Sequence, residues 1–361
     1  MQCIPSVRCK VTNKAKLMLV PLLLTFTTCC HIRHFLCDGT SLDDILDISI
    51  TINCIVASVQ ILFSIAVLNI GLKNNHREVQ KYFENIVESS EEFMSEAREE
   101  HLSKSLQLAY KVVRFFFLYF VAVCQFFPAM ALYQTNFVSP LYYRLPGIPS
   151  SSPFFYPVNI IGQYFNFFCL VTWYIIIDCL FFIYLFYIRG EMRSITAIAE
   201  LLSQKETLTS NCNQILRSVC RAHYELFQGF RSLSQIVWHY YCYKLLGLIL
   251  ITCSSSVVYS RTNSIVSGPV LHILAIALLT LVCVPGQLVD DSLENLRETL
   301  YQSLWYEMKS KDQRNFLLIF NASQKNINAE TFGVGKISFS TLVQVVKTTI
   351  SYAAFVYTVL M

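Results

Sequence analysis

The sequence predicts an all-α fold, a seven-transmembrane helical bundle with helical extensions on one side. Three observations carry that prediction. The 361 residues are 54% hydrophobic and 14% aromatic, more apolar surface than one compact soluble core could hide. Only 14% are charged, against roughly 25% in an ordinary globular domain. Lysine and arginine are also distributed unevenly, crowding into alternate connections between the apolar runs.

A span takes about 20 mostly apolar residues. Seven stretches qualify: 17–36, 45–72, 112–134, 157–188, 237–259, 267–285 and 337–361. The first also resembles a signal peptide, because Lys14-Ala-Lys16 precedes LMLVPLLLTFTTCC, although no small-x-small cleavage site follows. The second and fourth exceed a bilayer's need, so they tilt or project. Pro128, Pro157 and Pro269 lie near ends or in outer halves, where kinks are tolerated. The chain then divides into a terminus (1–16), a six-helix bundle with its extensions (17–285), and a last unit of anchor helices and seventh span (286–361).

The terminus carries four Lys/Arg, and the connections 73–111, 189–236 and 286–336 carry six each. The alternating connections hold one apiece, Arg33, Arg144 and Arg261. The positive-inside rule puts the N-terminus in the cytoplasm and Met361 outside. That is the inverse of a rhodopsin-like receptor, whose Asp/Glu-Arg-Tyr and Asn-Pro-x-x-Tyr motifs are also missing. Asn321-Ala-Ser323 is the one glycosylation sequon, and this topology keeps it inside and bare.

The inner connections have a helical apolar period. Val79, Phe83, Ile86, Ser90, Phe93 and Ala97 share one face. Ile215, Val219, Ala222, Leu226, Phe230 and Leu233 share another, and Leu293, Leu296, Leu300 and Leu304 a third. Asp290, Asp291 and Glu294 sit in the first turn of the last of these, favourably placed for its dipole. Such stripes either pack on one another below the membrane or form an oligomerisation domain; spacing alone leaves both open.

Other function classes find little support. A net charge of +4 without a basic stripe points away from nucleic acid. Fourteen cysteines with no C-x-x-C spacing read as small buried hydrophobes, not as a disulfide framework or zinc site. His31 and His34 lack a carboxylate or thiol partner for a metal. Gly333-Val-Gly335-Lys336 lacks the first glycine and the Ser/Thr of a phosphate loop. No catalytic constellation stands where substrate could reach it, so neither enzyme nor cofactor is expected.

The seventh span is amphipathic. Ser340, Gln344, Lys347, Ser351 and Thr358 fall within about 60° of one another on a helical wheel. Thr341 and Thr348 flank that line and Phe355 fills its gap, while Leu342, Val343, Val346, Ile350, Ala353 and Leu360 lie on the other side. A stripe of small polar residues often bonds to neighbouring helices. Lys347 favours a second reading, a water-lined pore, because an ammonium needs water or an acid. No Asp or Glu lies between Glu330 and the chain end; the other spans offer Asp178 and, near an entrance, Asp47.

Three segments of the last third then resemble the insect odorant receptors: CVPGQLVDDSL (283–293), LYQSLWYEMKSKDQRNFLLIFNASQK (300–325) and ISFSTLVQVVKTTISYAAF (337–355). They carry a Gly after span six before an acidic Ser-containing helix, then Tyr-x-Ser-x-Trp-Tyr, then Lys-Thr-x-x-Ser-Tyr. His223 in VCRAHYELFQGF and Asp178 late in span four add to it. The gustatory receptors share the topology but usually end in Thr-Tyr followed by Gln-Phe. Here Ser351-Tyr352 runs into AAFVYTVLM.

The resemblance implies an odorant-gated, non-selective cation channel in the plasma membrane of sensory neurons. A tuning subunit would assemble with an odorant co-receptor, as a tetramer, within membrane lipid. It puts apolar gate positions at Phe355 and Val359, with Thr358 at the outer mouth, rotated by about 40–50° from the polar stripe. It also implies an odorant pocket in the outer half of the bundle between spans two, three, four and six. Depth there selects Ile52, Val56, Phe127, Met130, Cys169, Thr172, His272 and Ile276. A mostly apolar lining suits small volatile ligands held by shape and dispersion. A gustatory-type channel and a seven-span G-protein-coupled receptor are the competing readings, and charge asymmetry opposes the second.

Overall fold

The structure is a computed structural model. It describes residues 25–26, 29–30, 32–33, 55–56, 58–63, 92–134, 145, 147–262, 267–324, 330–331, 335–336 and 338–360. In chain order the helices are α1 (Glu92–Ala97), α2 (Ser103–Gln134), α3 (Phe155–Glu200), α4 (Lys205–Thr262), α5 (Ser267–Gln302), α6 (Ser310–Ser323) and α7 (Phe339–Leu360). Predicted spans three to six lie within α2, α3, α4 and α5, and α7 takes up nearly all of span seven, whereas spans one and two fall largely outside the described residues. Among the described residues, Met94–Val123 and Ile276–Gln302 are long and apolar enough to cross a membrane by length and composition. The one stretch of sheet among the described residues is a two-residue ladder, Glu330–Thr331 against Gly335–Lys336, antiparallel. It takes up the Gly335-Lys336 segment just ahead of α7.

The helices outrun the predicted spans. Span six was expected to end at 285, yet α5 continues through Pro285 to Gln302. Proline removes one helical hydrogen bond, but the helix is held on both sides of it: Cys283 is buried above, and Val289, Leu293, Leu296 and Leu300 below. Helices α3 and α4 likewise run unbroken from span into extension and are joined by a 3₁₀ turn, Leu201–Ser203. Helices α2 and α3 lie antiparallel, as two bonds fix: Ser105 Oγ to the Phe186 carbonyl (2.8 Å) and Tyr164 Oη to the Gln125 carbonyl (3.3 Å). Gly190 allows the start of α2 to press on α3, for a Cβ there would stand 3.1 Å from the Leu102 backbone.

The apolar stripes of the extensions meet. Ile215, Val219, Ala222, Leu226 and Phe230 of α4 pack with Val289, Leu293, Leu296 and Leu300 of α5, with Ile188, Met192, Ile195 and Ala199 of α3, and with Leu202 of the 3₁₀ turn. Ala97 and Leu304 join at its edge. The side chains of Phe93 and Leu233, and residues 79–90, lie outside the described residues. Helix α6 closes this core through Phe316 and Ile319, with Trp305 stacked on Phe316 at 6.2 Å and 4°. The Tyr-x-Ser-x-Trp-Tyr segment is therefore a corner: Ser303 is buried and bonds the Leu300 carbonyl where α5 ends, and Trp305 turns inward. Arg297 binds the carbonyls of Ser323 and Gln324, satisfying the open end of α6. Ser323 is helical and buried, so the sequon at Asn321 does not offer an open loop.

Candidate functional site: an inward lysine, an outward lysine and the outer bundle

The spans hold a second lysine that weighs more in the fold than the one singled out by the sequence. Lys244 of α4 is 4% exposed and its Nζ donates to Oδ2 of Asp178, on α3 and 0% exposed, at 2.8 Å. The same ammonium lies 3.2 Å from the ring centroid of Tyr174, one turn along α3. Gln60 of the second predicted span donates its amide to the Tyr243 carbonyl at 2.8 Å and to that of Lys244 at 3.4 Å. It reaches them over Gly247, where any Cβ would overlap the Gln60 side chain. A buried pair survives desolvation only when its geometry is good and further partners meet its remaining bonding capacity. Here the carboxylate and the ring supply that. The signal was legible: an Asp in span four and a Lys in span five are the natural answer to each other.

Around the pair lies the upper core: Ile61, Phe120, Val171, Ile175, Cys179, Leu245, Leu248, Leu278, Leu279 and Cys283. Leu342 and Val345 of α7 belong to it. Helix α7 thus packs its Thr341, Leu342, Val345 and Thr349 face inward. The opposite face is open: Ser340, Gln344, Lys347, Ser351, Phe355 and Thr358 are all exposed, Phe355 at 65%. Among the described residues, the stripe does not bond to neighbouring helices. Three hydroxyls turn back to their own backbone, Ser351 Oγ to the Lys347 carbonyl (3.0 Å), Thr358 Oγ1 to Ala354 (2.8 Å) and Thr348 Oγ1 to Gln344 (2.8 Å), while Ser340 Oγ meets Ser338 Oγ at 2.7 Å. That leaves the Gln344 amide and the Lys347 ammonium on an outward face without a partner among the described residues. Val359 is helical, and its side chain lies outside what is described.

The residues selected for an odorant pocket fare unevenly. Val56, Cys169 and Thr172 are half-buried, and Ile276 is open at 43%. Ile52 lies outside the described residues, as do the side chains of Phe127, Met130 and His272. More telling are polar groups that a depth criterion overlooks. Thr172 Oγ1 and both amide atoms of Gln125 are buried with no hydrogen-bond partner among the described residues. Asn159, Gln163 and Asn166 lie buried at helical spacing on α3, above Asp178. The segment NIIGQYFN carries them in plain view, and reading it only for hydropathy hides them.

Beyond the spans, Glu191 pairs with Arg98 at 3.0 Å and accepts from Tyr187. Burial pushes its carboxyl up, and the Arg98 guanidinium opposes that rise. Burial, helped by the charge of Arg297, pushes the His223 imidazole down.

Comparison with known proteins bears on this arrangement. A model of the family "7tm Odorant receptor" matches residues 42–350. Among solved structures, the insect olfactory receptor OR5 from Machilis hrabei in complex with eugenol has a TM-score of 0.75 at 14% identity, covering 99% of this chain and 93% of its own. A second structure of that receptor gives 0.74 at 15% identity, covering 99% and 92%. Likeness at that identity is one of fold. No protein of curated function matches in sequence. The family is one of membrane receptors, not enzymes, and its fold is a seven-transmembrane helical bundle; the corner at Trp305 falls inside the matched range, whereas Ser351-Tyr352 lies just beyond it. The chain belongs to the 7tm odorant receptor family.

Proposed function

We propose that this odorant receptor is a ligand-gated, non-selective cation channel subunit that assembles with an odorant co-receptor in the plasma membrane of olfactory neurons. The N-terminus is cytoplasmic and the C-terminus extracellular. The observation that carries this reading is the outward polar face of α7, with Gln344 and Lys347 unpartnered in the single chain. A primary amide and an ammonium facing hydrocarbon are costly. The same face turned toward a hydrated axis between subunits satisfies both. Phe355 and Val359 then stand at the gate and Thr358 at the outer mouth. The ligand is a small volatile, bound in the outer half by Val56, Cys169, Thr172 and their neighbours; OR5 in complex with eugenol supports a small oxygenated aromatic as the first compound to try. Binding biases a closed–open equilibrium by favouring the open state.

The test is co-expression of the full chain with an odorant co-receptor in cells without a G-protein readout, recording current against a panel of volatiles that includes eugenol. A volatile-evoked cation current is the expected result. Surface expression without current for any compound would count against the channel reading. Phe355→Ala should alter gating or permeation; an effect on expression alone would remove Phe355 from the gate.

A further inference from the structure

We propose that Lys347 is a fixed positive charge in the wall of the ion pathway, and that it lowers the passage of divalent relative to monovalent cations. This rests on the channel reading above. Lys347 lies on the exposed face of α7, opposite the inward Leu342 and Val345. One turn to either side, Gln344 and Ser351 are neutral and exposed. No acidic residue occurs from Thr331 to Met361, and the ammonium has no ion-pair partner among the described residues. Asp178, the buried acid of the spans among the described residues, is already held by Lys244. The charge on the open face is therefore uncompensated among the described residues.

The energy of a cation passing a fixed charge scales with the cation's own charge. At about 8 Å in partly screened water, one ammonium disfavours a monovalent ion by about twofold and a divalent ion by about the square of that. Neutralising Lys347 should thus raise the divalent-to-monovalent permeability ratio by about twofold, and reversing its charge by about fourfold. The pathway remains a cation pathway because Lys347 contributes one charge to a wall that Gln344, Ser351 and Thr358 otherwise line with neutral polar groups.

The experiment uses the full chain with its co-receptor, and the panel volatile that evokes the largest current. Reversal potentials are compared in external sodium and external calcium for the unsubstituted chain, K347R, K347Q and K347E. A ratio unchanged in K347R, raised about twofold in K347Q and further in K347E supports the proposal. In parallel, S351C is exposed to a cationic thiol reagent, with the unsubstituted chain as control. Unchanged ratios in K347Q and K347E, together with current from S351C altered by the reagent, would overturn the role of Lys347 and leave the channel reading intact. Unchanged ratios with S351C insensitive would overturn both the role of Lys347 and the placing of this face of α7 in the ion pathway, and would fit an ammonium that reaches the inner headgroups instead.

Discussion

The interior around Lys244 and the outward face around Lys347 place the same side chain in opposite surroundings within one layer of the bundle. Lys244 is enclosed, with Asp178, the Tyr174 ring and the Gln60 amide around it. Lys347 is open, and the hydroxyls beside it serve their own helix. Yet Val345, two residues before Lys347, packs in the same core as Leu245, next to Lys244. The contrast teaches that an intramembrane charge is informative through its surroundings. An enclosed, paired lysine ties helices together, whereas an exposed one marks a face still waiting for water or another chain.

The largest effect should come from breaking the inner pair on one side. Lys244→Met leaves Asp178 buried and uncompensated, a loss of about 3–5 kcal/mol. It should show as a collapse of surface expression and of the melting temperature in detergent. The double change D178L/K244M should recover most of that, since replacing both members by apolar residues is often near neutral. A double variant as poor as the single would show that the pair does more than stabilise. Gly247→Ala should come next, because its methyl group displaces Gln60 from the Tyr243 and Lys244 carbonyls. Overpacking of this kind costs about 1–3 kcal/mol, read from the same melting curve.

Gln125→Leu tests the outer bundle. If its amide bonds an oxygenated ligand, the half-maximal concentration for volatiles bearing a carbonyl or hydroxyl should rise about tenfold, with hydrocarbons of similar shape little changed. An equal shift for both would reduce Gln125 to packing. The smallest effect on stability should be that of Lys347→Gln, within about 0.5 kcal/mol, as for surface changes without partners. A melting temperature lowered as far as in Lys244→Met would erase the contrast between the two lysines.

Much of the fold was legible because it depends on local period and composition. The stripes Ile215–Phe230 and Leu293–Leu300 were readable as faces, and they do bury against each other. The stripe on α7 was readable as a polar line, and its members are exposed, but so are Val343 and Ile350, which the wheel sets on the other side. Asp290, Asp291 and Glu294 do not open a helix as their charge suggests: α5 runs unbroken from Ser267 through Pro285 to Gln302, because tertiary packing holds it below the proline. Lys244 went unused because hydropathy averages one lysine away within a long apolar run. Gln125, Gln163 and Asn166 were passed over for the same reason.

By itself the sequence determined the class of the molecule: spans by apolar length, extensions by 3.6-residue period, and family by the motifs around Trp305 and Ser351-Tyr352. Those properties belong to single segments, and each can be read without knowing its neighbour. Only the tertiary structure decided which lysine is inside. A helical wheel gives the angle between two faces but not which of them meets the bundle. That choice follows from the packing of Leu342 and Val345 against α4 and α5, and from the desolvation that obliges Lys244 to find Asp178 across 66 positions of chain.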